Sequence, residues 1–255
     1  MKNYEVGNGA RRARTVLREL RILHPSEIVI EAIAWRYGAR VSTSPLDGAE
    51  GCMIRKGNRG TILIRAGLDP GKYRFNAAHE LGHFLLHATW SLKACTEADF
   101  VLWKTGQEQE READDFAVSL LLPEEMFIPK IQDSTPSFDV ISRVATDFET
   151  SLTFTASRYV EFTECQCALV VSSKQGVEWF KVSQRFPGWF ERRQRIDPDS
   201  HAYDVLHGSS TATGVQPVSA TAWFPERRWK DVIIREDAIQ LGRYGKAMSL
   251  IWIPE

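Results

Sequence analysis

His79 and His83 stand four residues apart, and Glu80 directly follows the first of them. On a helix that spacing puts both imidazoles on one face, one turn apart, where both can reach a single ion. Neutral imidazole is a standard zinc ligand. A carboxylate next to the first histidine can reach a water on the ion without itself ligating. Zinc lowers the pKa of such a water from about 15.7 to about 7, and the carboxylate takes the proton. The chemistry this predicts is hydrolysis of a peptide bond, with Glu80 as general base.

A catalytic zinc needs three protein ligands and one open position. A third histidine six residues after His83 would fall at position 89, which is Thr89, so that pattern is excluded. The alternative is a glutamate on a later helix, and Glu110-Arg111-Glu112-Ala113-Asp114 offers two. The apolar stripe of that segment is Ala113, Phe116, Ala117, Leu120 and Leu121. Glu110 lies about 50° from the centre of the stripe and Glu112 about 110° away, so Glu110 is the preferred ligand. Asp114, one turn on, would support a ligating imidazole. His87 follows His83 by one turn; it could be a fourth ligand, although a packed or exposed histidine is the preferred reading. Taken singly, two histidines at a core edge and an acidic helix face are ordinary; with Glu80 between the histidines, the metal reading is favoured. His24, His201 and His207 belong to no motif.

The elements that must position these residues are legible. A helix is expected over residues 73–88, after the break at Pro70-Gly71, with Leu81, Phe84, Leu85 and Leu86 as apolar neighbours. Gly82 within it costs about 1 kcal/mol against Ala and would suit close packing. A second helix is expected over 107–122, closed by Pro123. Ahead of them, helices are predicted over 11–23 and 27–37, the latter with Ser26 as N-cap and Gly38 as stop. Strands are predicted over 40–44, 51–55 and 61–65, the last two joined as a hairpin through 56–60. Residues 89–105 read as irregular.

Further helices are expected over 138–148 and 153–162, joined by Glu149-Thr150-Ser151 like a helix-turn-helix. Strands are expected over 168–172, 177–182, 218–223, 229–234 and 248–253, with 187–213 poor in pattern. Three parts follow: a front to residue 125, a helical segment 126–163 and a strand-rich tail 164–255. The fold class is α+β.

The run Arg74-Phe75-Asn76-Ala77-Ala78-His79-Glu80-Leu81-Gly82-His83-Phe84-Leu85-Leu86-His87, with the stretch from Glu110 to Pro123, resembles the paired signatures of the ImmA/IrrE family. These are bacterial zinc metallopeptidases that cleave helix-turn-helix repressors under stress or DNA damage. The resemblance implies a minimal zincin-like domain and zinc at His79, His83 and Glu110, with Glu80 as general base. It also implies a protein substrate of the helix-turn-helix repressor class. Where the family commonly has Asn, this chain has Asp114; either can hold an imidazole. The tail resembles the sensor-like, GAF-like α+β part of longer members.

Composition narrows the rest. The chain has 255 residues, 43 % of them apolar, and a formal net charge of -1, which argues against a nucleic-acid coat. The second helix of the helix-turn-helix-like pair carries only Arg158 as a basic residue, so direct DNA binding is not expected. Cys52, Cys95, Cys165 and Cys167 lack the spacing of a structural zinc site and read as reduced thiols. No secretory signal or membrane-spanning run is found, and a cytoplasmic protein is expected. Trp179, Trp189, Trp223, Trp229 and Trp252 read as core aromatics of the tail. The expected function is a metallo-endopeptidase acting on a regulatory protein, which would pair with a sheet edge, the 61–65 strand being the candidate. The alternative is a partner-binding or DNA-binding regulator that cleaves nothing.

Overall fold

The structure, a computed structural model, describes residues 7–87, the backbone of 92–95, and residues 108–208, 214–242 and 245–254. It is α+β, with two compact units. One comprises residues 1–127 with 146–151; the other comprises 128–145 with 152–255. The helical segment expected at 126–163 is therefore shared between them.

Among the described residues of the first unit the first elements are α1 (Asn8–Glu19) and a 3-10 turn, Pro25–Glu27. Glu27 folds back onto the backbone N–H groups of Leu23 and His24, which gives the turn its own cap. Ser26 therefore lies inside the turn, and α2 (Ile30–Arg36) starts later than the sequence suggests. Strands β1 (Ala39–Ser44), β2 (Gly51–Lys56), β3 (Arg59–Arg65) and β4 (Leu92–Cys95) form one sheet in the order β1-β3-β2-β4. The β2–β3 hairpin is antiparallel, as its turn residues predict, and β1 runs parallel to β3.

β3 is thus flanked on both sides and is no edge. The hairpin gives it one partner, and β1, returning from α2, takes the other. The outer strands of the sheet are β1 and β4. β4 falls within the stretch that reads as irregular; the remainder of residues 89–105, and the side chain of Cys95, lie outside the described residues.

Helix α3 (Pro70–Leu86) carries the histidine motif, with Pro70 in its first turn, where a missing N–H costs nothing. Helix α4 (Glu108–Leu121) carries the acidic run. Ala77, Ala78, Leu81 and Phe84 of α3 are buried, as are Met53, Ile62 and Ile64 of the sheet and Ala113, Phe116, Ala117 and Leu120 of α4, and α3 packs against both the sheet and α4. Helix α5 (Glu124–Ile131) follows Pro123; its short, mixed pattern around Pro129 gives no periodic signal.

Helices α6 (Phe138–Phe148) and α7 (Leu152–Phe162) fall where the sequence puts them. Arg158 of α7 is buried, pairs with Glu161 at 2.9 Å and lies over the Phe162 ring, so it is not presented to a phosphate backbone.

The second unit is built on a five-stranded antiparallel sheet of β5 (Gln166–Ser173), β6 (Gly176–Val182), β7 (Val215–Ser219), β8 (Ile233–Leu241) and β9 (Lys246–Ile253). Their order is β6-β5-β9-β8-β7, which places the first and last strands side by side at the centre. Helix α8 (His201–His207), capped by the Ser200 hydroxyl, lies within the stretch that shows no sequence pattern.

The strand expected at 218–223 ends at Ser219 and gives way to a 3-10 turn, and that expected at 229–234 begins only at Ile233. The second shift follows from Glu236 and Asp237, charged residues that break the apolar pattern of β8 although both are buried. Glu236 accepts hydrogen bonds from the His201 and Ala202 N–H groups, Trp223 Nε1 and Ser249 Oγ. Trp223, Trp229 and Trp252 are core residues as expected, but Trp179 and Trp189 are 38 % and 67 % exposed. Trp189 packs edge-on to Phe180, outside the core.

Candidate metal centre

Helices α3 and α4 meet at Gly82. A Cβ there would lie 3.1 Å from Ala113 Cα and 3.1 Å from the Phe116 ring, so the missing side chain is what lets the two backbones approach this closely. The C-terminal end of α3 is tied to the sheet by Arg55, which donates to the Phe84 carbonyl at 2.7 Å and stacks over the Phe84 ring. Between the two helices His79, His83 and Glu110 converge as a group that could hold a metal ion.

Both histidines are fully buried and Glu110 is 6 % exposed. The two Nε2 atoms are 3.0 Å apart. Glu110 Oε2 lies 3.3 Å from His79 Nε2, and Glu110 Oε1 lies 3.5 Å from His83 Nε2. A tetrahedral ion with bonds of about 2.0–2.1 Å has ligand atoms about 3.3–3.4 Å apart. The two nitrogens stand somewhat closer than that, and the carboxylate distances, which run to different Glu110 oxygens, lie near it; one ligand atom from each residue lies within 4.8 Å of the others, close enough for the three to share one ion.

The backs of the rings set their tautomers. His79 Nδ1 is 2.8 Å from Asp114 Oδ1 and donates to it. His83 Nδ1 is 3.0 Å from His87 Nδ1, and His87 Nε2 is 2.9 Å from Glu112 Oε2. With both Nδ1–H groups directed outward, both Nε2 lone pairs face the centre beside a carboxylate, a donor set that a cation satisfies. Hydrogen bonds from His87 first, and then from Asn8, hold the Glu112 carboxyl below its ordinary value.

Glu80 is fully buried and lies against β2, where a Cβ on Gly51 would come 2.6 Å from its Oε1. Cys52, next in β2, has its thiol pushed up by burial and, to a lesser degree, by the Glu80 charge. Glu50, also buried, is clamped by Arg65 and by Lys72 at 2.6 Å, with Asn76 of α3 3.3 Å from its other oxygen. This clamp pins the start of β2 to α3, one helical turn before Glu80.

The structure therefore brings His79, His83 and Glu110 together and sets Asp114 behind His79. Glu112 faces His87, away from the two Nε2 atoms. Sequence reasoning missed the Glu112–His87 contact and the close approach at Gly51. The one sequence signal for the former was the i, i+4 spacing of His83 and His87; nothing local pointed to the latter.

Residues 27–159, just over half of the chain, match the IrrE N-terminal-like domain, a peptidase family. No curated protein matches the chain in sequence. Among solved structures it is similar to a Mycobacterium tuberculosis transcriptional regulator, with a TM-score of 0.58 and 13 % identity over 96 % of this chain and 76 % of that one. At that identity the likeness is one of fold. The sequence match, in contrast, spans the elements that carry the metal-ligand candidates, and the chain belongs to the IrrE N-terminal-like domain family of peptidases.

Proposed function

We propose that this protein is a cytoplasmic zinc-dependent endopeptidase that hydrolyses a peptide bond in a regulatory protein of the helix-turn-helix repressor class. The observation that carries the reading is the buried cluster of His79, His83 and Glu110, with one ligand atom from each within 4.8 Å of the others, and Glu80 directly after His79 in sequence. Two neutral imidazoles and one carboxylate suit zinc best among common divalent ions.

A zinc ion bound there supplies a Lewis acid, which acidifies a water and polarises the substrate carbonyl. The chain's own groups do the rest. His79, His83 and Glu110 hold the ion, and Asp114 keeps the Nδ1 proton of His79 on the outer side of its ring. The Glu80 carboxylate takes a proton from the water as its oxygen bonds to the carbonyl carbon. As the C–N bond breaks, Glu80 returns that proton to the leaving nitrogen. Burial of Glu80 against Gly51 fixes the carboxylate that makes both transfers.

The second reading, a regulator that binds a partner without cutting it, draws on the fold shared with a transcriptional regulator. A carboxylate retained directly after the first histidine favours hydrolysis.

Elemental mass spectrometry on the wild type, His79→Ala and Glu80→Gln tests the metal. About one zinc per chain in the wild type and in Glu80→Gln, lost in His79→Ala, is expected. Incubation with helix-turn-helix repressors encoded beside the gene, read by intact-mass spectrometry, tests the cleavage. A zinc-loaded wild type that cuts none of them would leave the binding-only reading in place.

A further inference from the structure

The two imidazoles of the centre are held from behind in different ways. His79 reaches a carboxylate directly, at Asp114. His83 instead reaches a second histidine, His87, which is 6 % exposed and in turn contacts Glu112. The other Glu112 oxygen accepts from Asn8 Nδ2 at 2.9 Å. The chain of contacts thus runs from the first residue of α1, through α4, to the metal-facing ring on α3.

Proton accounting along it has one neutral solution. Ionised Glu112 can only accept, so His87 Nε2 carries a hydrogen. Neutral His87 then has a bare Nδ1, which can only accept. His83 must therefore donate its Nδ1–H, and its Nε2 lone pair is left facing the centre.

We propose that His87 and Glu112 are positioning residues which lock the tautomer and ring orientation of His83 for metal binding, with Asn8 anchoring Glu112. The proposal rests on the metal-centre reading given above. His87 is then no fourth ligand, because both of its nitrogens are engaged, one by His83 and one by Glu112.

The test uses the full chain, stripped of metal, with zinc affinity read by chelator competition and the ligand field read from visible absorption after Co2+ loading. His87→Phe should weaken zinc binding about 10- to 100-fold and shift the Co2+ bands. His87→Gln should recover most of the loss, since its amide oxygen can accept from His83 while its NH2 donates to Glu112.

Glu112→Ala should lose about tenfold. The double variant should bind no more weakly than His87→Phe alone, because Glu112 acts only through His87. A purely structural role would instead lower the thermal midpoint of the metal-free protein, with losses that add and no rescue by Gln. Unchanged affinity in His87→Phe, additive losses, or absence of rescue would each overturn the relay while leaving the metal site standing. A wild type that takes up no zinc would overturn both together.

Discussion

Replacing Gly51 with alanine should disable Glu80 and leave the metal site intact. The backbone at Gly51 is outside the left-handed region, so alanine carries no conformational penalty there. Its Cβ, however, would sit 2.6 Å from Glu80 Oε1, 3.0 Å from Cγ and 3.2 Å from Cδ. An ordinary contact begins near 3.4 Å, so the carboxylate oxygen must retreat by about 0.8 Å. Rotation about the last side-chain torsion gives no relief, because Cγ is also too close. The whole side chain or strand β2 has to move.

A displacement approaching 1 Å in a catalytic group costs about 10²-fold in rate. Outright removal of a general base costs about 10²–10⁴-fold. Gly51→Ala should therefore cleave a repressor established as a wild-type substrate about 100-fold more slowly, and Glu80→Gln at least as slowly. Zinc content should stay at the wild-type level in both. The assay is single-turnover cleavage followed by mass spectrometry, beside metal analysis of the same samples. Gly51→Ala cutting within threefold of the wild-type rate, with zinc bound, would refute the claim that this contact positions the base.

Two further predictions concern the second unit. Glu236→Ala removes the acceptor of four buried donors; each costs about 1–3 kcal/mol when left bare, and entering water recovers part, so a loss of about 3–5 kcal/mol is expected in denaturant unfolding of that unit. A change under 1 kcal/mol would mean that these donors find other partners. Burial raises the Glu161 carboxyl, but the Lys181 ammonium and the Arg158 guanidinium outweigh that and leave it below the usual 4.5. A carboxyl lowered on folding stabilises the fold fully above its unfolded value and loses that contribution as the pH falls through its folded value. The thermal midpoint of the wild type should thus fall more steeply below pH 4.5 than that of Glu161→Gln, and parallel curves would contradict the pairing.

Helices α3, α4, α6 and α7 were readable because each carries several turns of apolar residues at regular spacing between breakers such as Pro70 and Pro123. β8 was not, because Glu236 and Asp237 look like surface residues until four partners from other segments, and the Phe138 N–H, satisfy their carboxylates. Helix α8 has seven residues, too few to show a period, and its cap at Ser200 is indistinguishable from loop chemistry in sequence. The 61–65 strand reads as a candidate edge in sequence, and its parallel partner, β1, comes from a pairing no local signal encodes.

At the candidate metal centre, the spacing of His79, Glu80 and His83 and the stripe of α4 point to Glu110 rather than Glu112, since a helix fixes which residues share a face, and the fold groups Glu110 with the two histidines. Tertiary structure alone decided what stands behind each ring. Asp114 meets His79 and Glu112 meets His87 only because Gly82 lets α4 lie close against α3. The same holds for Gly51 and Glu80, about 30 positions apart in the chain and in contact through the folded sheet. Periodicity within one element is written in the sequence; register between elements is set by packing, and the support of the site lies there.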